Sequence, residues 1–380
     1  MCDDLIKFIR ELYNSNDFIP LHAPRFNGNE KKYLEDTIDS TFVSSVGKYV
    51  EDFELKVCEY TGSKFAIATV NGTSALHSSL RLASVEQGTE VITQSLTFVA
   101  TSNAIRYCGA KPIFIDVNPL TLGLCPVSLE TFLDERCESR NDGFCWNKAS
   151  GRKIAACIVM HTFGFPAELD KIKIICNRYN IKLIEDAAGS MGSLYKNVHV
   201  GNVGHLSILS FNGNKIITTG GGGIILTNNE DLAKKAKHIT TTSKVNHPWK
   251  IEHDEVGYNY RMPNLNASLG IAQMESLPAY LKNKRDIAGQ YNKWCGENDV
   301  QFMIEPKNTK SNYWLNTIVT IDKKQRDSVL LATNNANVMT RPAWTPMHNL
   351  SINSDCESSD LTNTEWLADR IVNLPSSPNI

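Results

Sequence analysis

Lys182-Leu183-Ile184-Glu185-Asp186-Ala187-Ala188 and Leu206-Ser207-Ile208-Leu209-Ser210-Phe211-Asn212-Gly213-Asn214-Lys215, the second followed by the glycine run Gly220 to Gly223, decide the fold class. Each stretch opens on an apolar run too short for a helix and then breaks into polar or small residues. That pattern marks a strand buried on both faces. More of the same kind lie outward in both directions: Phe65–Val70, Glu90–Thr93, Pro112–Ile115, Ile154–Met160, Ile181–Ile184 and Gly223–Leu226. Helical periodicity separates them at Ser74–Ala83, Val99–Tyr107 and Leu169–Tyr179. Strands alternating with helices predict an α/β fold built on a mostly parallel sheet, with ligands at the carboxyl ends of its strands.

Before this core, residues 3–14 read as an amphipathic helix and Phe18–Pro24 as an extended arm. Helices then run from about Asn29 to Ser40 and over residues 51–61. After about residue 275 the pattern changes to a polar helix (Leu281–Trp294), a strand (Leu315–Ile321) and helices near Arg326–Asn335 and Glu365–Val372. The expected organisation is an arm (1–29), a large domain (30–275) and a smaller α+β C-terminal domain (276–380). Residues 134–152 are polar and read as a surface excursion.

Composition excludes several functions. Lys+Arg number 39 against 41 Asp+Glu, which gives no electrostatic case for nucleic acid or an anionic membrane. No apolar run approaches a membrane span. The ten cysteines are scattered without a Cys-x-x-Cys pair, so zinc and dithiol motifs are absent and no metal is expected. Free thiols and an acidic start, Met1-Cys2-Asp3-Asp4, predict a cytoplasmic protein.

The chemistry lies in the order of the motifs. Asn71-Gly72-Thr73-Ser74 stands between a strand and a helix, where hydroxyls and free amides can seat a phosphate; the same residues also make an ordinary helix cap. Asp186 ends a buried strand ahead of small residues. There it can pair with a protonated pyridine nitrogen, or simply cap a helix. Lys215 offers an amine for a Schiff base, and Ser210 a hydroxyl for the phosphate, with glycine amides nearby. Phe98 follows a strand and can stack on a flat ring or pack in the core. Together these residues describe a site for pyridoxal 5'-phosphate (PLP), which becomes pyridoxamine 5'-phosphate when it carries an amine. His161 follows a strand and reads better as a structural histidine than as a site residue.

The chain resembles the DegT/DnrJ/StrS group of PLP-dependent sugar aminotransferases, of the type I, aspartate aminotransferase-like fold. The carrying segments are Asn71–Leu76, Thr97–Thr101, Glu185–Ala188, Ser210–Lys215, Gly220–Gly222 and Gly257-Tyr258-Asn259-Tyr260-Arg261-Met262. The resemblance implies that Lys215 binds the cofactor and shuttles the proton, Asp186 holds the ring nitrogen, and Phe98 stacks. It implies phosphate contacts from Thr73, Ser74 and Ser210, and from Asn259 of a neighbouring copy, hence a homodimer with shared sites. One departure stands out. Three residues after the aspartate, many members carry Gln, Glu or His; this chain has Gly189.

The segments Phe18–Pro24, Asp39–Gly47 and Ser210–Lys215 resemble more narrowly the aminotransferases of N-acetylbacillosamine and legionaminic acid pathways. That likeness implies transfer of an amino group from L-glutamate, released as 2-oxoglutarate, to C4 of a UDP-linked 2-acetamido-4-keto-2,6-dideoxyhexose. The alternative acceptor is another nucleotide-linked keto-deoxysugar, aminated at C3 or C4. Val46 and Gly47 are expected to face the sugar, and Arg341, Trp344 and His348 the diphosphate. A surface salt bridge for Arg341 and a core position for Trp344 are the competing readings. A PLP lyase or desulfurase would need a mobile cysteine that the sequence does not offer. A PLP-bound sensor without turnover is the non-enzymatic alternative. No Gly-x-Gly-x-x-Gly follows the first strand, which disfavours a nicotinamide site.

Overall fold

The computed structural model describes residues 1–380. Its centre is a seven-stranded sheet in the spatial order Phe65–Thr69, Gly223–Thr227, Leu206–Ser210, Lys182–Asp186, Ile154–Met160, Glu90–Gln94, Lys111–Ile115. The Gly223–Thr227 strand pairs antiparallel with both neighbours, and every other adjacent pair is parallel. Six strands therefore end on one edge, and the segments holding Asn71, Phe98, Asp186 and Ser210 gather there. The strands are almost wholly buried, because helices cover both faces of the sheet.

Local chemistry explains the turns at that edge. Asn71 caps the Gly72–Leu82 helix by accepting the Ser74 N–H at 2.8 Å. The glycine run serves packing: it does not line the site, and a Cβ on Gly223 would lie 2.4 Å from the Asn71 carbonyl oxygen. Only glycine lets the reversed strand approach the capped helix so closely. Gly72 is constrained in the same way, since its Cβ would sit 2.9 Å from that of Ser210.

Several elements depart from the sequence expectations. The Pro126–Arg136 and Glu230–Thr240 helices were not anticipated. The long helix runs from Asn264 to Glu297, across the expected domain junction and through Pro278. Residues 134–152 carry a small hairpin, Cys137–Ser139 against Cys145–Asn147. The last helix stops at Ala368, and Ile371–Leu374 is a strand, because it pairs antiparallel with Asn316–Val319. With Gln301–Phe302 and Arg341–Pro342 these two strands form a four-stranded second sheet. The Phe18–Pro24 arm lies beside this C-terminal unit through the Ile19–Val338 bridge. All ten cysteines are unpaired, and no helix is long and apolar enough to cross a membrane.

Candidate active site

A cavity of about 260 Å³ opens at the carboxyl edge of the sheet. Thr73, Phe98, Asp186, Ser210 and Lys215 all line it, although they come from four separate segments. Asn71, Thr101, Met160, Ala188, Asn212, Asn214, Trp314 and Trp344 complete much of the wall. The sequence reading assigned a role to only one of these, Trp344.

Asp186 is 5% exposed. Its Oδ2 accepts from the Thr101 hydroxyl at 2.8 Å and its Oδ1 from the Ala188 N–H at 3.2 Å. Burial pushes its carboxyl above the usual aspartate range, and Thr101, Ala188 and the charge of Lys215 only partly offset this. A buried carboxylate has about four lone-pair sites and seeks a cation. This one is short of both, so it suits a group that brings a protonated nitrogen.

The Lys215 amine lies 3.5 Å from the centre of the Trp314 ring. Burial pulls it down to about 7, against the opposing pull of Asp186. An amine in that range is available both as a nucleophile and as a proton carrier at neutral pH. Thr73 and Ser210 place two hydroxyls beside the start of the Gly72–Leu82 helix, where backbone donors and the helix dipole favour an anion. Phe98 is 49% exposed and presents its ring to the cavity. The donor set thus fits PLP: hydroxyls for a phosphate, an aromatic face, an under-satisfied carboxylate and an amine of lowered basicity.

A second cavity of about 510 Å³ adjoins the first, sharing Asn214, Trp314 and Trp344 as its wall. Arg341 lines it, with one guanidinium nitrogen donating to Asn334 Oδ1 and to the Thr340 carbonyl. His22 of the N-terminal arm lines it too, and neither ring nitrogen has a partner in the protein. Burial holds that imidazole well below the usual histidine range, hence neutral.

Five expected site residues line neither cavity. Ser74 is buried in its helix, with its N–H taken by Asn71. Val46 is 67% exposed, and Gly47 packs beside the Asn264 side chain. Asn259 is exposed on the loop before the long helix, bridged to Thr241. His348 sits in a short 3-10 turn with both nitrogens engaged: Nδ1 with Ser95 Oγ at 2.7 Å and Nε2 with Glu365 at 2.5 Å. Its ring anchors the 344–349 segment instead of facing a ligand. His161 is structural, as expected: its Nδ1 accepts from the Ala167 N–H, which leaves Nε2–H for Glu185.

The chain matches the DegT/DnrJ/EryC1/StrS aminotransferase family over residues 24–380. It is 37% identical over 331 residues to EpsN of Bacillus subtilis (strain 168), assigned as a pyridoxal phosphate-dependent aminotransferase; the match covers 87% of this chain and 82% of EpsN. It is 34% identical to the GDP-perosamine synthase of Escherichia coli O157:H7, over 96% of this chain and 94% of that protein. The crystal structure of a DegT DnrJ EryC1 StrS aminotransferase from Brucella abortus superposes with a TM-score of 0.83 at 25% identity, covering 92% of this chain and 90% of that one.

Proposed function

The chain belongs to the DegT/DnrJ/EryC1/StrS aminotransferase family and is a PLP-dependent sugar aminotransferase, and from that premise we propose that it carries an amino group from L-glutamate to C4 of a UDP-linked 2-acetamido-4-keto-2,6-dideoxyhexose. The convergence of Lys215, Asp186, Phe98, Thr73 and Ser210 on one cavity that adjoins a second, roomier one supports the PLP chemistry, and the likeness of Phe18–Pro24, Asp39–Gly47 and Ser210–Lys215 to the N-acetylbacillosamine and legionaminic acid aminotransferases supports the UDP-linked acceptor. PLP, when bound, supplies an electron sink that lets a C–H beside the transferred amine leave as a proton.

The residues then divide the work. Lys215 would hold the cofactor and carry the proton. Asp186 would hold the ring nitrogen in its protonated form. Thr73, Ser210 and the amides at the helix start would hold the phosphate, and Phe98 would offer its ring for stacking. The sugar occupies the second cavity between Trp314 and Trp344, where hydroxyls can satisfy His22. Arg341 offers its remaining N–H groups to the diphosphate. L-Glutamate and the keto sugar use the site in turn.

A second copy of the chain completes the site in this reading. Arg261 pairs with Glu54 at 2.7 Å, both side chains nearly buried, and its backbone bridges Thr69. This pins one end of the loop while leaving Asn259 exposed. Trp249, Ile251 and Val256 on the loop are 84%, 76% and 81% exposed, and Phe42, Val43 and Val46 add further apolar surface. We place Asn259, Val46 and Gly47 at the partner's cavity in a homodimer.

The GDP-perosamine synthases among the relatives favour a second reading, in which the acceptor is a GDP-linked keto-deoxysugar. Competition between UDP- and GDP-linked 4-keto sugars for the glutamate-loaded enzyme, with NMR of the product, separates the two. The first reading expects a UDP-linked product aminated at C4. A GDP preference, or an amine at C3, sinks it.

A further inference from the structure

Gly189 and Trp314 lie 125 residues apart in sequence and share one space in the fold. A Cβ built on Gly189 would fall 2.3 Å from Cε3 and 2.8 Å from Cζ3 of the indole, far inside any carbon–carbon contact. The ring therefore fills the room that a side chain at 189 would take. The two backbones are also joined. Asn312 donates its amide to the carbonyls of Gly189 and Met191, both at 2.9 Å, and its Oδ1 accepts the Trp314 N–H at 2.8 Å. Behind them, the buried Lys284 amine donates to the Trp314 carbonyl at 3.3 Å.

Held this way, the indole engages the lysine segment twice. Its face lies 3.5 Å from Lys215 Nζ, and its Nε1–H donates to the carbonyl of Asn214 at 2.8 Å. One side chain thus contacts both the amine and the backbone one residue before it. An aromatic face attracts the ammonium form through its quadrupole. It offers the free amine no proton and leaves its lone pair unoccupied.

We propose that Trp314 is a positioning residue for Lys215, seated in the space that Gly189 leaves, and that the two form a matched pair in which the indole fills the room a side chain at position 189 would take. The pair sets how firmly the lysine segment is held and how readily the amine gives up its proton. Enlarging residue 189 and removing the indole should therefore disturb Lys215 in the same direction. The inference rests on the reading of Lys215 as the attachment point, and the first step of the test separates the two.

The PLP-loaded wild type, Trp314→Leu, Trp314→Phe and Gly189→Ala are first reduced with borohydride and mapped. A label away from Lys215 in the wild type overturns the attachment reading and this proposal with it. The PLP-free forms are then titrated by competitive acetylation of Lys215, and PLP release is timed from the loaded forms.

Loss of the ring face in Trp314→Leu should lower the Lys215 pKa by about half to one unit and speed PLP release by roughly tenfold. Gly189→Ala should shift both in the same direction by displacing the ring. Trp314→Phe keeps a face but loses the Nε1–H, so release should rise about threefold while the titration stays near the wild-type value. Adding Gly189→Gln to Trp314→Leu refills the vacated room with a polar group and should recover part of the PLP retention. Wild-type titration and release in Trp314→Leu, or in Gly189→Ala, overturn the proposal. If Trp314→Leu does not fold, Trp314→Phe and Gly189→Ala decide it by the same two readouts.

Discussion

Glu185 and Asp186 are neighbours at the end of one strand, both buried, and the protein treats them oppositely. Glu185 accepts from His161 Nε2 at 3.1 Å and from the backbone N–H groups of Gly201, Val203 and Gly204 at 2.7, 2.8 and 2.6 Å. Burial pushes its carboxyl up, but those donors more than reverse the effect, and it rests below the usual glutamate range. Asp186 has one hydroxyl and one amide, and burial prevails. A buried carboxylate that the protein satisfies is part of the framework; one left short of donors is kept for a ligand. The histidines repeat the lesson, since both nitrogens of His161 are engaged and neither of His22's is.

The contrast can be broken by substitution. The largest effect belongs to the ligand side. Lys215→Ala should lower amino transfer by about 10³- to 10⁴-fold, the scale of losing a nucleophile and proton carrier together. Circular dichroism and the thermal melt should stay at wild-type values; turnover within tenfold of wild type would count against the assignment. On the framework side, Glu185→Gln should cost about 3 kcal/mol of stability, because it breaks a buried, fully bonded charge. Urea titration measures this loss. Transfer per folded molecule should change little, and the reverse pattern would place Glu185 in the chemistry.

The smallest effect is a slope. Lys215 titrates near 7 in the folded chain and near its ordinary 10.5 when unfolded. Between those values the unfolded state holds a proton that the folded state lacks, so stability of the PLP-free protein rises with pH across that window. Below about pH 7 both states are protonated and the contribution is flat. In the middle of the window the slope approaches the roughly 1.4 kcal/mol per pH unit that one whole proton gives, and solvent reaching part of the side chain narrows the window. Melting the PLP-free protein from pH 7 to 10 should show it, and Lys215→Met should remove it; identical profiles for the two would refute the assignment of that proton to Lys215.

The parallel core was legible because each strand is short, apolar and bounded by polar or small residues. Lys215, Asp186, Phe98, Thr73 and Ser210 could be found because each stands at or within a few residues after the end of a strand, and strand ends share one edge of such a sheet. Trp314 could not, because an aromatic in Asn312-Tyr313-Trp314-Leu315 reads as core, and only tertiary packing brings it to Lys215. Thr101 lies in the first turn of a helix, so its bond to Asp186 depends on how that helix docks. His348 misled because its segment points to a ligand, while its ring turns back to Ser95 and Glu365.

Some misses had signals. Pro126 at a first helical turn was one. Asn229 capping a helix with Glu230 and Asp231 in its first turn and Lys237 in its last was another. Pro278 hid the first half of the long helix, since proline inside a helical pattern normally ends it. The helical pattern over Glu365–Val372 runs two residues into the Ile371–Leu374 strand, because so short a strand shows itself only through its partner at Asn316–Val319.

The most direct test of the contrast is the protonation state of the cofactor's ring nitrogen, read by ¹⁵N NMR from labelled PLP bound to wild type and to Asp186→Asn. A carboxylate reserved for a cation predicts a protonated nitrogen in the wild type from pH 6 to 9 and an unprotonated one in the variant. The same chemical shift in both proteins would contradict the account.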